Sequence, residues 1–141
     1  MRKLNIFYIS IISIFVLSIN AKEIFIEPGP NEHERIQEAM ILMQEGDILT
    51  IKSGYYSFED GLSLDISKVT IRGEGMDNTI LDFKNQKSGA QGLLVTSNQV
   101  ILENFSIMDA KGDALKVIGS KGISMLNLKT EWTGGPKSTN G

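Results

Sequence analysis

Three stretches of this sequence lie under one another almost without adjustment: LSLDISKVTIRG from Leu62, LLVTSNQVILEN from Leu93 and LKVIGSKGISMLN from Leu115, the last with one extra residue in its turn. Leu64, Val95 and Val117 correspond, as do Val69, Val100 and Ile123, and then Ile71, Leu102 and Met125. A turn of small and polar residues separates the two apolar pieces of each stretch. A unit of about 22 residues made of short strands and Asn, Ser, Gly and Lys turns cannot bury an apolar face alone, so its copies must stack, which is the pattern of a solenoid. The first interval is longer because GEGMDN and KNQKSGAQ add loop residues.

Side chains alternate along a strand, so the corresponding apolar residues face inward and their neighbours outward. The outward set is Ser63, Leu94 and Lys116 on the first strand of each unit, then Thr70, Ile101 and Ser124, and Arg72, Glu103 and Leu126, on the second. Units one strand spacing apart, about 4.8 Å, put Arg72 over Glu103 as a cross-strand ion pair worth about 0.2–1 kcal/mol. Asn104 and Asn127 also align, ahead of Phe105 and Leu128. Stacked asparagines at a bend are expected to bond to one another and to the turn backbone, a structural role.

The region before the repeat reads differently. In KEIFIEPGP, Ile24 and Ile26 alternate as in a short strand, which Pro28, Gly29 and Pro30 end. A helix is expected next, with Asn31 as N-cap, Glu34 in the capping-box position, Ile36, Ala39, Met40 and Met43 on one face, and Gly46 as its stop. DILTIKSGYYSF reads as one strand, its two faces poorly marked by Ile48, Thr50 and Lys52. His33, the only histidine, sits beside Glu32 and Glu34 with no converging partner and reads as a solvated surface residue. Gly73 and Gly75 in RGEGMDN precede the strand-like TILDF, not a helix, so they are turn glycines and not a phosphate loop.

The chain has 141 residues, 41% hydrophobic and 22% charged, enough for one modest globular unit and too apolar for disorder. A formal charge of -3 argues against a nucleic-acid partner, and the absence of cysteine excludes disulfides, thiolate metal sites and a lipid-modified cysteine. MRK, the apolar LNIFYISIISIFVLSI and then NAKE have the layout of a secretory signal peptide cut after Ala21. The apolar run falls short of the roughly 20 residues of a spanning helix, so no membrane span is expected after cleavage. The organisation is then 1–21 signal peptide, 22–60 strand and capping helix, and 61–141 coils.

IQEAMILMQEGDILTIKSGYY followed by KVTIRGEGMDNTILDF resembles the start of right-handed parallel β-helix proteins, where an amphipathic helix caps the first coil. VILENFSIMDAKGDALKVIGSKGISMLNLKTEWTGG is similar to the parallel β-helix repeat proteins of bacterial envelopes, relatives in fold of pectate lyases, polysaccharide epimerases and periplasmic NosD-type proteins. The resemblance covers nearly all of the mature chain. It implies an all-β solenoid, a right-handed parallel β-helix with an N-terminal amphipathic capping helix. It also implies a periplasmic, cell-surface or secreted protein that binds or processes a polysaccharide as a lyase, epimerase or hydrolase would; the alternative is a non-catalytic scaffold or assembly factor. Fold likeness of this kind carries no activity by itself.

Such proteins use a groove along one outer strand face and its turns. The comparable region here offers Asp109, Lys111, Asp113 and Lys116 in DAKGDALK, with Glu131 and Trp132 one coil later, as substrate-binding residues for an acidic polysaccharide. Asp109 and Asp113 are the expected calcium ligands, and an indole face stacks on a pyranose ring. No catalytic residue is assigned. The closing EWTGGPKSTNG follows only about three coils with nothing to cover the last one, so the chain reads as the N-terminal portion of a longer solenoid, with catalytic residues expected in later coils.

Overall fold

The structure is a computed structural model and describes Arg2 and residues 20–135. The expected signal peptide lies, except for Arg2, Asn20 and Ala21, outside the described residues. Ile24 and Ile26 form β1 (Glu23–Ile26), and after the Pro28–Pro30 break the chain enters α1 (Glu32–Leu42). Ile36, Ala39, Met40 and Met43 are buried as their helical spacing requires. The expected capping by Asn31 is replaced. Asn31 takes a left-handed backbone (φ 56°) and its side chain makes no cap, whereas an N-cap side chain needs extended backbone to reach the first turn. Glu32 instead accepts from the Gly29 N–H at 3.3 Å, and the Arg35 guanidinium donates to the Pro30 and Glu27 carbonyls at 3.1 and 2.8 Å.

The stretch expected to be one strand is two, β2 (Ile48–Ile51) and β3 (Gly54–Ser57), broken at Lys52 and Ser53. Two groups hold the corner. The Tyr56 hydroxyl donates to the Lys52 carbonyl at 2.9 Å, and Glu74 accepts from the Ser53 N–H at 2.6 Å. Leu49 and Ile51, not Ile48, carry the core face of β2. The repeat supplies β4 (Leu62–Leu64), β5 (Thr70–Arg72), β6 (Thr79–Asp82), β7 (Gln91–Val95), β8 (Ile101–Met108), β9 (Asp113–Val117) and β10 (Ser124–Glu131).

Every strand pairing is parallel. A first ladder runs β1, β2, β5, the first half of β8 and the first half of β10. A second runs β3, β6 and the remaining halves of β8 and β10. A third runs β4, β7, β9. Because β8 and β10 pass through both of the first two ladders, these form one curled seven-stranded sheet, with the third as a separate three-stranded sheet. The result is a β-rich, solenoid-like fold of parallel strands with one short helix.

The register matches the sequence alignment residue by residue. Leu64, Val95 and Val117 pair, as do Ile71, Leu102 and Met125. Leu64, Val95, Ile71 and Leu102 are fully enclosed, each contributing about 1.5–3 kcal/mol through burial. Phe58 and Phe83 stack at 4.8 Å between centroids where the second ladder turns toward the third. Arg72 Nε meets Glu103 Oε1 at 2.6 Å on the outer face.

One end of this core is closed by α1. Gln37 accepts from the Ser63 N–H at 2.8 Å and donates to the Ser63 carbonyl at 2.9 Å, so its amide occupies the edge of β4 as a further strand would. Glu32 accepts from the Ser57 N–H of β3 at 2.9 Å. At the other end β9 and β10 each pair on one side only among the described residues, and Met125 and Leu126 are half exposed. Among the described residues no helix is long and apolar enough to cross a membrane.

Candidate functional site

The second ladder offers the outer face with the most chemistry. Alternation sends Tyr56, Leu81 and Ile107 into the core, where they are enclosed. Their neighbours form two outward columns by register. Tyr55, Ile80, Ser106 and Lys129 make one; Ser57, Asp82, Met108 and Glu131 make the other.

The Tyr55 hydroxyl donates to one oxygen of the buried Asp82 carboxylate, whose other oxygen accepts from the Lys84 N–H at 2.9 Å. That bond to Asp82, reinforced by burial and by the charges of Asp82 and Asp109, pushes the Tyr55 phenol up to about 12. Across the same face, Lys129 Nζ lies 2.7 Å from Glu131 and 3.9 Å from Asp77. The hydrogen bond to Glu131 raises the lysine above its ordinary value. Both groups hold their protons at neutral pH, as an ordinary phenol and ammonium do, and the Tyr55 proton is spent on Asp82. Tyr55 keeps its ring half exposed while its hydroxyl is pinned, an arrangement suited to stacking against an apolar ligand face.

The residues expected from sequence are distributed over four places. Glu131 lies on the second ladder, and Trp132 follows it with its indole 57% exposed. Asp109 sits at the corner below, buried with left-handed backbone (φ 53°), and both its oxygens accept from Thr133, one from the N–H and one from the hydroxyl at 2.6 Å. Lys111 donates its N–H to Gln86 Oε1 at 2.9 Å in the next corner. Asp113 and Lys116 belong to the third ladder and face each other at 3.7 Å, Lys116 in the outward row of Ser63 and Leu94.

These positions do not fit a shared calcium. Asp109 is committed to Thr133, Asp113 pairs with Lys116, and among the described residues no three His, Cys, Asp or Glu side chains are grouped to hold a metal ion. Asn104 and Asn127 stand at the bends of β8 and β10, joined side chain to side chain at 3.1 Å.

Sequence reasoning missed Tyr55, Asp82 and Lys129. Their signal lay in the alternation of GYYSF and TILDF, which places Tyr55 and Asp82 on one face once the two segments are set in register. His33 sits edge-on to Phe58 at 5.7 Å, beside a cleft of about 520 Å³ that Glu32, Glu59, Asp60 and Lys87 also line. Comparison of the chain with family models, curated proteins and solved structures gave no match.

Proposed function

We propose that this chain is a right-handed parallel β-helix that binds a polysaccharide outside the cytoplasm through the outer face of its second ladder. Right-handedness follows from the rule that parallel crossovers in one sheet are almost always right-handed. The observation that carries the binding reading is Tyr55, a half-exposed ring whose hydroxyl is fixed by the buried Asp82. Three strands further along the same face, Lys129 and Glu131, with the exposed Trp132 after them, add donors, acceptors and a second aromatic face. Rigid aromatic faces with fixed polar groups suit pyranose rings, which are apolar on their faces and polar at their rims.

The same groups favour binding over lyase or epimerase chemistry on this face. Abstracting a sugar-ring proton needs an unprotonated base near neutral pH, and both Tyr55 and Lys129 are pushed the other way. Lys129 and Glu131 together leave the face without a strong charge preference, so neutral and acidic glycans are both candidates. The test is a glycan-binding survey of the purified chain against uronate and neutral polysaccharides, followed by Tyr55→Ala and Trp132→Ala. Loss of binding in Tyr55→Ala is the expected result. Binding unchanged in both variants removes this face, and no binding to any glycan leaves the scaffold reading.

A further inference from the structure

Among the described residues one buried side-chain polar atom lacks a hydrogen-bond partner, the Ser106 hydroxyl oxygen. Phe105 and Ile107 on either side of it are enclosed in the core, so alternation aims Ser106 at the outer face, where it is nevertheless only 1% exposed. It stands in the column of Tyr55, Ile80 and Lys129, on a strand paired on both sides. A hydroxyl buried without a partner is destabilising, and such an orphan calls for a reason in chemistry.

The groups around it are already committed. Tyr55 donates to Asp82, the second Asp82 oxygen accepts from the Lys84 N–H, and Lys129 is bound to Glu131 at 2.7 Å. Lys129 also reaches Asp77, in the loop before β6, at 3.9 Å. Because β8 lies between β6 and β10, a side chain that reaches from Lys129 toward Asp77 crosses β8 where Ser106 is its in-register neighbour. The Asp77 contact is long and that carboxylate is 76% exposed, so it holds the lysine weakly, and the Glu131 bond can persist when it breaks. Lys129 can therefore leave Ser106 at little cost.

We propose that Ser106 is a ligand-binding residue, uncovered when Lys129 releases Asp77, and that the ligand is a neutral hexose polymer that pairs one ring hydroxyl with it. This rests on the glycan-binding reading of the face and adds to it a residue and a sugar class. A serine hydroxyl both donates and accepts, as a sugar hydroxyl does, whereas a carboxylate only accepts. The half-buried Ile80 and Met108, with the Tyr55 ring, supply apolar surface for the face of the sugar. Charge points the same way. The one ammonium group in the two columns is shared between two carboxylates, and Asp77, Asp82 and Glu131 outnumber Lys129 and the Lys84 of the following turn, which disfavours a uronate chain.

The experiment is calorimetric titration of the purified chain with cellohexaose, maltohexaose, mannohexaose and hexagalacturonate, with thermal unfolding of each variant read alongside. A neutral oligomer should bind, and hexagalacturonate should bind more weakly or not at all. Ser106→Ala should unfold no earlier than wild type, since it removes an unpaired hydroxyl, yet bind the neutral oligomer about tenfold more weakly through the lost bond. A serine of structural value alone would show the reverse, a lower midpoint and unchanged affinity. Asp77→Asn frees the lysine and should raise affinity about two- to fivefold. Its side chain is exposed, so it keeps the proposal open to refutation should Ser106→Ala lose its circular-dichroism spectrum. Tyr55→Ala separates the two readings. Binding lost there but unchanged in Ser106→Ala, or in Asp77→Asn where the first does not fold, overturns this proposal alone; so does hexagalacturonate bound as tightly as every neutral oligomer. Binding of none of the four overturns both.

Discussion

Asn127 donates from Nδ2 to Oδ1 of Asn104 over 3.1 Å, joining two successive turns of the chain at the corner where the first ladder bends into the second. Both residues hold left-handed backbone, φ 62° at Asn104 and 50° at Asn127. The bend and the bond explain one another: asparagine tolerates this conformation better than other non-glycine residues, and its amide both donates and accepts, so identical residues can stack.

Asn104→Ala should therefore lose twice, about 1–2 kcal/mol for the left-handed backbone and about 1 kcal/mol for the bond. Asn104→Gly keeps the backbone free and loses only the bond. Urea unfolding of the purified chain should rank wild type, then Gly, then Ala. Equal losses in the two variants would show that the bend exerts no conformational selection.

Acid should weaken the fold through Glu74 and Asp47. The hydrogen bond from Lys52, followed by that from the Ser53 N–H, holds Glu74 down at about 2. Burial works to raise Asp47, but the N–H groups of Lys22 and Gln44 outweigh it and the carboxyl ends below its ordinary value. Both are depressed, so their stabilisation is complete above the unfolded values, about 3.9 for Asp and 4.3 for Glu, and is lost as pH falls through the folded ones. Glu74 is partly exposed, which keeps its share small. Unfolding midpoints between about pH 5 and 2 should fall less steeply in Lys52→Met than in wild type; an identical slope would remove the Lys52–Glu74 pair from the acid response.

Gln37 should matter more than its half-exposed position on α1 suggests. Its amide satisfies both the N–H and the carbonyl of Ser63 at the edge of β4. Gln37→Ala leaves that edge to water, costing about 1–3 kcal/mol for two bonds, and opens it to strand pairing with other chains. Gln37→Glu keeps the acceptor and loses the donor, so its midpoint should fall between the two. Thermal unfolding with light scattering reads both effects, and an Ala variant as stable and as soluble as wild type would show that solvent replaces the clamp at no cost.

The solenoid was legible because stacking makes a period. Leu64, Val95 and Val117 stand in register in space because each must fill the same row, and that requirement is written once per turn in the sequence. The bend at Lys52 was not legible, since it depends on Tyr56 and Glu74 reaching it from elsewhere in the fold. The same limit applies to the outer face. Tyr55 and Asp82 lie 27 residues apart and meet only through the β3–β6 register, while the acidic and basic residues of DAKGDALK, adjacent in sequence, are sent to a corner and a third ladder. Local proximity in the chain is a poor guide to proximity on a solenoid's surface, where neighbours along the axis are one full turn apart.

Alkali gives the complementary test, and it bears on the binding face. Tyr55 is pushed up to about 12 first by its bond to Asp82, and Tyr56 to about 12 first by burial. Raised values mean that these phenols stabilise the fold fully below the unfolded tyrosine value of about 10, and that the contribution is lost as pH rises through about 12. Absorbance titration of the phenolates should therefore show both groups ionising late. Asp82→Asn removes the charge that holds Tyr55, so one transition should move down toward about 10 while that of Tyr56 stays. Such a shift would identify the Asp82 carboxylate as the group that holds the Tyr55 phenol above its ordinary value. Late ionisation of both tyrosines in the variant would assign Tyr55 to burial alone and separate it from Asp82.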